Sequence, residues 1–282
     1  STPEQTAQAL ERLTKAAEAG QDCAQYALGK IYRDGQGVEK DIQKAVALFT
    51  LAATKENSFA AFALGKLYLA GDAALPRDPA AALKWLTYAA ELGNQFAQYR
   101  LGKLLLKGDD GIPKDVITAI RWLTAAAKQE NGYAEYALAL VYLTGEDAPK
   151  DSVKALSLLK RSAGRGNQFA QYRLGKLLLQ GEDAPKDVKA AIRWLTAAAE
   201  QGNQYAQYAL GKLYLLGKEV PKDRSSAIKW FQLAADQGNE YAQYFLKHMD
   251  DRLGQPLSLR SVEENQIKYT EISVSDTGHG ID

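Results

Sequence analysis

The sequence predicts an all-α fold, a solenoid built from repeated pairs of antiparallel helices. A motif of the form A-x-[YF]-x-L-G-x-x-[YL] recurs along the chain, and its glycine position returns every 36 or 37 residues. A second motif, [KR]-D-x-x-x-A-[ILV]-x-[WL]-[LF]-x-x-[AS]-A, recurs with the same period. Self-similarity at a fixed period of this length indicates a repeat architecture, in which each unit packs mainly on its neighbours.

The first motif predicts the first helix of each pair. Its apolar residues share one helical face, as do Ala97, Leu101 and Leu105. A glycine inside a helix costs about 0.5 to 1 kcal/mol relative to alanine, so we expect it to permit the close approach of another helix. We expect the Ala-Ala pairs of the second motif, at 52–53, 89–90, 126–127, 198–199 and 234–235, to form the other side of that contact.

The second motif predicts the second helix, and the loop before it has a constant chemistry. A glycine that suits a left-handed C-terminal cap ends the first helix at Gly71, Gly108, Gly145, Gly181 and Gly217. An aspartate that suits an N-cap starts the second helix at Asp41, Asp78, Asp115, Asp151, Asp187 and Asp223. Every tryptophan of the chain lies in this motif, namely Trp85, Trp122, Trp194 and Trp230, and we expect these side chains to build the core.

The motifs together resemble those of the Sel1-like repeat family, over roughly residues 4 to 250. The resemblance implies a right-handed superhelix of helix pairs, related to tetratricopeptide arrays, that serves as an adaptor in protein complexes. It also suggests a bacterial source. The fourth repeat departs most from the pattern, because Ala139 replaces the glycine and Leu158 replaces the tryptophan. We expect these departures to affect the local curvature.

The pattern divides the chain into a solenoid at residues 1–251 and a non-repeat tail at residues 252–282. The solenoid holds about six full repeats between a lone second helix at 4–19 and a lone first helix at 239–250. Alternating β-type residues predict a strand-like tail. Residues 265–282 resemble fragments of the N box and G1 box of sensor histidine kinases, which would give nucleotide-binding roles to Asn265, Asp276, Gly278 and Gly280.

So short a segment cannot build a nucleotide-binding domain, since chains below about 40 residues rarely fold alone. We therefore expect no functional ATP site in the tail. It is either a native strand-like segment, a remnant of such a domain or an artificial junction.

Composition excludes several classes of function. The 35 basic and 34 acidic residues give a net charge of +1, which favours neither nucleic acid nor an anionic membrane. One cysteine, Cys23, and two histidines, His248 and His279, leave no disulfide framework and no metal-ligand set. We find no nucleophile with a matching base and no isolated carboxylate pair, so we predict no catalytic residue, no cofactor and no enzyme activity.

The sequence also lacks membrane features. No apolar run reaches the ~20 residues that span a bilayer, so we expect no membrane association. No N-terminal segment has the basic and then apolar pattern of a signal peptide, and we expect a cytoplasmic rather than a periplasmic or secreted location.

The first helices are expected to line a concave groove with aromatic and lysine side chains at helical spacing, as at Phe96, Tyr99 and Lys103. Aromatic anchors bury area at a low entropic cost, and lysines attract acidic groups. Leu140 interrupts the lysine series. The predicted ligand-binding residues are Tyr26, Lys30, Phe62, Lys66, Phe96, Tyr99, Lys103, Tyr136, Phe169, Tyr172, Lys176, Tyr205, Tyr208 and Lys212.

We therefore predict a non-catalytic scaffold whose groove binds a protein or peptide that is acidic or carries a free carboxylate. One alternative is a helical-repeat nucleic-acid binder, because aromatic residues alternate with lysines, although the near-neutral charge disfavours it. In another, the chain's own tail or a neighbour's tail occupies the groove. In a third, the aromatic residues only pack between adjacent first helices and the lysines are merely solvated.

Overall fold

The computed structural model describes residues 1–109 and 111–249. Fourteen α-helices and no strand occur in these residues, which confirms the predicted all-α fold. Their bounds are α1 Pro3–Glu18, α2 Asp22–Asp34, α3 Ile42–Ala53, α4 Ser58–Ala70, α5 Pro79–Glu91, α6 Gln95–Lys107, α7 Val116–Lys128, α8 Gly132–Thr144, α9 Ser152–Gly164, α10 Gln168–Gln180, α11 Val188–Glu200, α12 Gln204–Leu216, α13 Arg224–Asp236 and α14 Glu240–His248. The predicted tail, with its kinase-like boxes, lies outside the described residues.

The chain divides into two compact units, residues 1–167 and residues 168–282. The first unit contains α1 to α9, and the described part of the second contains α10 to α14. Within each unit a helix packs on the helices before and after it in the chain, most closely within a pair. The even-numbered helices are the predicted first helices and the odd-numbered ones are the second helices. Within each unit the helix-pair architecture is therefore confirmed.

Side-chain caps fix where the helices begin. The aspartate before each of the helices α3, α5, α7, α9, α11 and α13 accepts a hydrogen bond from a backbone N–H of the first turn, as predicted. Several first helices have an equivalent cap that the sequence analysis did not assign, whereas Gln21 before α2 makes no such bond. Asparagine plays this role at Asn57, Asn94, Asn131, Asn203 and Asn239.

The glycines that end the first helices all have positive φ, but they are not all left-handed helical caps. Gly145 and Gly217 have ψ angles of 13° and 26°, in the predicted conformation. Gly71 and Gly108 instead have ψ angles of 163° and 156°. Their loops are one residue longer than the others before the capping aspartate, and each forms a small antiparallel bridge directly after the glycine. The loop length therefore decides the glycine conformation.

The glycine inside the first helices α2, α4, α6, α10 and α12 does permit a close approach, but the predicted partner was wrong. A Cβ added at Gly102 would lie 2.7 Å from Leu123 Cγ, and one at Gly65 would lie 2.6 Å from Leu86 Cγ. The partner is thus a large buried residue at the centre of the second helix, not the Ala-Ala pair. The tryptophans precede these residues and are only partly buried at the edge of the core.

A buried polar row accompanies the apolar core. The Gln98 amide donates to the carbonyl oxygen of Ala90 at 3.1 Å, and its oxygen accepts from Gln129 Nε2 at 2.9 Å. In the second unit, Gln207 bonds in the same way to Ala199 and Gln237. These bonds tie the C-terminal end of one second helix to the next first helix, and they satisfy amides that would otherwise be costly to bury.

Candidate binding surface of the first helices

The predicted lysines of the first helices lie over aromatic rings one helical turn earlier. In the first unit, the Nζ atom of Lys30 is 4.8 Å from the ring centre of Tyr26. Lys66 lies 4.8 Å from the Phe62 ring, and Lys103 lies 5.8 Å from the Tyr99 ring. In the second unit, Lys212 lies 5.6 Å from the Tyr208 ring. The spacing of four residues brings each pair together, and the cation–π attraction holds the lysine against the helix.

Aromatic rings also join successive first helices. In the first unit the Tyr26 and Phe59 ring centres are 6.1 Å apart, and those of Tyr99 and Tyr133 are 5.8 Å apart. In the second unit, Tyr172 lies 6.1 Å from Tyr205. These contacts place the first helices of adjacent repeats side by side in each unit. The rings are therefore part of the packing between repeats as well as candidates for binding.

Burial separates the predicted aromatic residues into two groups. Tyr136, Tyr172 and Tyr208 are buried, with at most 4% of their surface exposed, so they support the surface from beneath. Phe59 and Tyr133, which the predicted set omits, are 49% and 41% exposed. They occupy the repeat position of Phe96, and the repeat alignment alone could have identified them.

Four of the first helices carry basic residues and no acidic ones, whereas α2 has Asp22 and Asp34 and α14 has Glu240. Helices α4, α6, α10 and α12 contain no aspartate or glutamate, but they carry Lys66, Arg100, Lys103, Lys107, Arg173, Lys176 and Lys212. Helix α8 has a single acidic residue, Glu135, which is fully buried. Its carboxylate binds Arg165 Nε at 2.5 Å and Arg161 Nε at 3.0 Å. It is thus already compensated. Each unit therefore has a positive surface on first helices, α4 and α6 in the first unit and α10 and α12 in the second.

Lys103 lies in the most basic part of this surface. Its burial, followed by repulsion from Arg100 and Lys107, lowers the pKa of Lys103 to about 8. Burial raises the pKa of the adjacent Tyr99 to about 12, so this phenol remains neutral at physiological pH. An anion bound near Lys103 would raise this pKa again, because it favours the charged form.

In the second unit, a small pocket of about 240 Å³ lies between α10 and α12. It brings together the predicted residues Lys176, Tyr208 and Lys212 with an apolar lining from Leu179, Leu213 and Leu216. The loop after α12 adds Lys218 and Glu219, which the sequence analysis did not single out. A second pocket lies in the first unit, between the second helices α3 and α5, and Trp85 and Tyr88 of α5 line it.

The described residues contain neither a cluster of metal ligands nor a membrane-spanning helix. Across residues 1–109 and 111–249, no group of three or more His, Cys, Asp or Glu side chains could hold a metal ion. None of the described helices is both long and apolar enough to cross a bilayer.

The repeat pattern matches a known family model over most of the chain. The model described as Sel1 repeat matches residues 24–57, 58–94, 95–131, 132–167, 168–203 and 204–239. The chain belongs to the Sel1 repeat family. Sel1 repeat proteins generally act as protein-interaction scaffolds, and their solenoid fold is typically non-catalytic.

Two solved Sel1 repeat structures are similar to this chain. The first is c5321, a protective antigen present in uropathogenic Escherichia coli strains, with 33% identity and a TM-score of 0.78. The match covers 97% of this chain but only 57% of c5321, so this chain spans little more than half the length of that relative. The second is a Sel1 repeat protein from Oxalobacter formigenes, with 34% identity, a TM-score of 0.76, and coverage of 84% and 68% of the two chains. No curated protein matches the chain.

Proposed function

We propose that this Sel1 repeat protein is a non-catalytic scaffold that binds an acidic segment of a protein partner on its first helices. The observation that carries the proposal is the charge of α4, α6, α10 and α12, which have basic residues and no acidic ones. The whole chain has a net charge of only +1, so this excess is local. A local positive surface attracts an acidic partner and disfavours a basic one.

Contacts around the lysines support this proposal. Lys30, Lys66 and Lys103 lie against aromatic rings, so less side-chain entropy is lost when they meet a carboxylate. Phe59 and Tyr133 expose large apolar areas beside them. Aromatic anchors next to charged groups are typical of protein-binding hot spots. We expect the partner to carry acidic residues interleaved with apolar ones.

The ring geometry favours a protein over a nucleic acid. Single-stranded nucleic acids bind by stacking their bases on open aromatic faces. Here the rings of Tyr26, Tyr99 and Tyr172 lie against neighbouring rings, and lysines cover Tyr26 and Tyr99. Carboxylates of a peptide can reach the lysines without displacing these contacts.

A charge-reversal variant tests the proposal. The substitutions Lys66→Glu, Lys103→Glu, Lys176→Glu and Lys212→Glu reverse the surface of the first helices. A matched control carries Lys84→Glu, Lys128→Glu, Lys160→Glu and Lys229→Glu, which lie exposed on second helices and change the net charge equally. The probe is a fluorescein-labelled, C-terminally amidated peptide in which Asp and Glu alternate with Leu and Phe. Its affinity is measured by fluorescence anisotropy, and circular dichroism checks the helix content of each variant.

We expect the first variant to lose roughly tenfold or more in affinity, and the control to change by less than about threefold. Equal losses in both variants would mean that binding follows net charge and not the first helices. Tighter binding of a labelled oligouridine than of the peptide, with the same dependence on these lysines, would favour the nucleic-acid alternative.

A further inference from the structure

The loop after α12, which lines the pocket between α10 and α12, differs in charge from the equivalent loops of other repeats. In four other repeats, the residue after the loop glycine is acidic, at Asp72, Asp109, Glu146 and Glu182. At this position the sixth repeat has Lys218, which lines the pocket. The substitution removes a negative charge and adds a positive one beside Lys176 and Lys212. The pocket therefore departs from the repeat pattern in its charge.

One acidic residue, Glu219, lies among the residues that line this pocket. Its carboxylate is 2.7 Å from the Nζ atom of Lys186, on the loop of the preceding repeat. Three lysines and one carboxylate line the pocket, so its lining has a net positive charge that an anionic ligand would complement.

Leucines form the apolar part of the pocket lining. Leu179 comes from the last turn of α10, and Leu213 and Leu216 come from the end of α12. The volume of about 240 Å³ is below the ~300 Å³ of the smallest typical small-molecule sites. It suits a single apolar side chain rather than a helix or an extended segment.

Because the pocket has room for about one side chain, a single ligand residue that is both apolar and anionic would satisfy both properties. An internal aspartate or glutamate would complement the lysines but leave the leucines exposed, whereas an internal leucine would do the reverse. A C-terminal apolar residue supplies both, because its side chain and its α-carboxylate leave the same carbon. We infer that this pocket binds the C-terminal residue of the partner, with the apolar side chain against the leucines and the free carboxylate at the lysines. This inference rests on the proposed function.

A pair of peptides that differ only at the C-terminus tests the inference. Both have the same acidic sequence and end in leucine, one as the free acid and the other as the amide, and affinities are measured by fluorescence anisotropy. We expect the free acid to bind about tenfold more tightly, since the α-carboxylate forms charge-assisted hydrogen bonds with the lysines. Lys218→Glu should abolish this difference, and it restores the charge found at Glu182. The control Lys229→Glu, on α13, should keep the difference.

A second pair of measurements tests the apolar part. Replacing the terminal leucine of the free acid by serine should weaken its binding several-fold, and Leu216→Ser in the protein should remove that preference. Leu216 is 37% exposed, so this substitution leaves the core intact. N-acetyl-leucine and octanoate serve as competitors, because a free amphiphilic carboxylate shares this chemistry. If octanoate displaces the peptide at concentrations near the peptide's own Kd, the ligand of the pocket is a fatty acid and not a chain terminus, and the inference is wrong.

The outcomes separate this inference from the proposed function. If the acid and the amide bind equally, and both lose affinity in the charge-reversal variant, the inference fails and the proposed function stands. If neither peptide binds the wild-type protein, both fail. A preference for the acid that survives Lys218→Glu would place the carboxylate at another site and would also overturn the inference.

Discussion

The third and fourth repeats of the first unit build the same helix pair with different chemistry. In the third repeat, Gln98 and Gln129 form a neutral amide pair. In the fourth, the equivalent positions hold Glu135 and Arg165, joined at 2.5 Å. The fourth repeat also has Leu140 at the position where the third repeat has Lys103. The comparison indicates that the backbone requires a satisfied polar contact at this point but does not require a particular charge.

The fourth repeat also has a larger residue at the glycine position inside the first helix. Gly102 of the third repeat lies against Leu123 so closely that a Cβ would be 2.7 Å from its Cγ atom. The fourth repeat places Ala139 in that position, and both Ala139 and Leu159 of the facing helix are fully buried. A methyl group is therefore accommodated there. The glycine is a requirement of the local helix spacing and not of the fold.

The largest expected effect is on the buried carboxylate. Replacing both Arg161 and Arg165 with alanine should lower the free energy of unfolding by about 3 kcal/mol, because the Glu135 carboxylate would remain buried without a cation. This value is near the low end for a buried pair, since both arginines are partly exposed. Urea denaturation followed by circular dichroism measures the change.

Gln129→Ala is the matched variant in the third repeat, where the expected loss is about 1 kcal/mol because a neutral hydrogen bond is removed. Adding Glu135→Gln to the double arginine variant should recover most of its loss. Equal losses in the two repeats would show that the charged contact of Glu135 contributes no more to stability than the neutral hydrogen bond between Gln98 and Gln129.

A smaller effect is expected at the small-residue position. Gly102→Ala should destabilise the protein by about 1 to 3 kcal/mol, because the added methyl group overlaps Leu123. Ala139→Gly should cost only about 0.5 to 1 kcal/mol, which is the helix propensity difference. Thermal unfolding of both variants measures the contrast. A neutral or stabilising Gly102→Ala would indicate that the third repeat can also move apart at little cost.

The smallest expected effect at neutral pH is that of Lys103→Leu. This substitution gives the third repeat the residue that the fourth repeat has at the same position, Leu140. The pKa of Lys103 is lowered from 10.5 to about 8 in the folded protein, so protonation favours the unfolded state. This penalty is complete below pH 8 and is relieved as the pH rises towards 10.5. At pH 7, Lys103→Leu should stabilise the protein by about 1 kcal/mol, because it removes the cost of burying the ammonium. The gain is small because the long side chain keeps its ammonium partly hydrated.

The stability advantage of Lys103→Leu over the wild type should then shrink as the pH rises above 8. Urea unfolding of both proteins at several pH values gives this difference and cancels the titration of other groups. A difference that does not change with pH would mean that Lys103 is fully hydrated in the folded protein.

Much of the local structure could be predicted because it depends on neighbours in sequence. The aspartate caps bind backbone groups three residues away, and the lysines lie over rings four residues away. The asparagine caps were missed, although a Gly-Asn pair recurs with the repeat period at 93–94, 166–167, 202–203 and 238–239. The burial of Tyr136 and Tyr208 could not be predicted, because the residues that cover a side chain come from helices about 30 residues away.

The sequence by itself determined the period, the helix pairs, the aspartate caps and the basic, acid-free composition of α4, α6, α10 and α12. These features follow from hydrogen bonds and spacings within one or two helical turns. Only the tertiary structure decided that leucine and phenylalanine, not alanine, oppose the glycines, and that Lys176, Lys212 and Lys218 share one apolar pocket. The physical reason is that close packing fixes which side chains remain exposed, and it depends on how neighbouring repeats fit together.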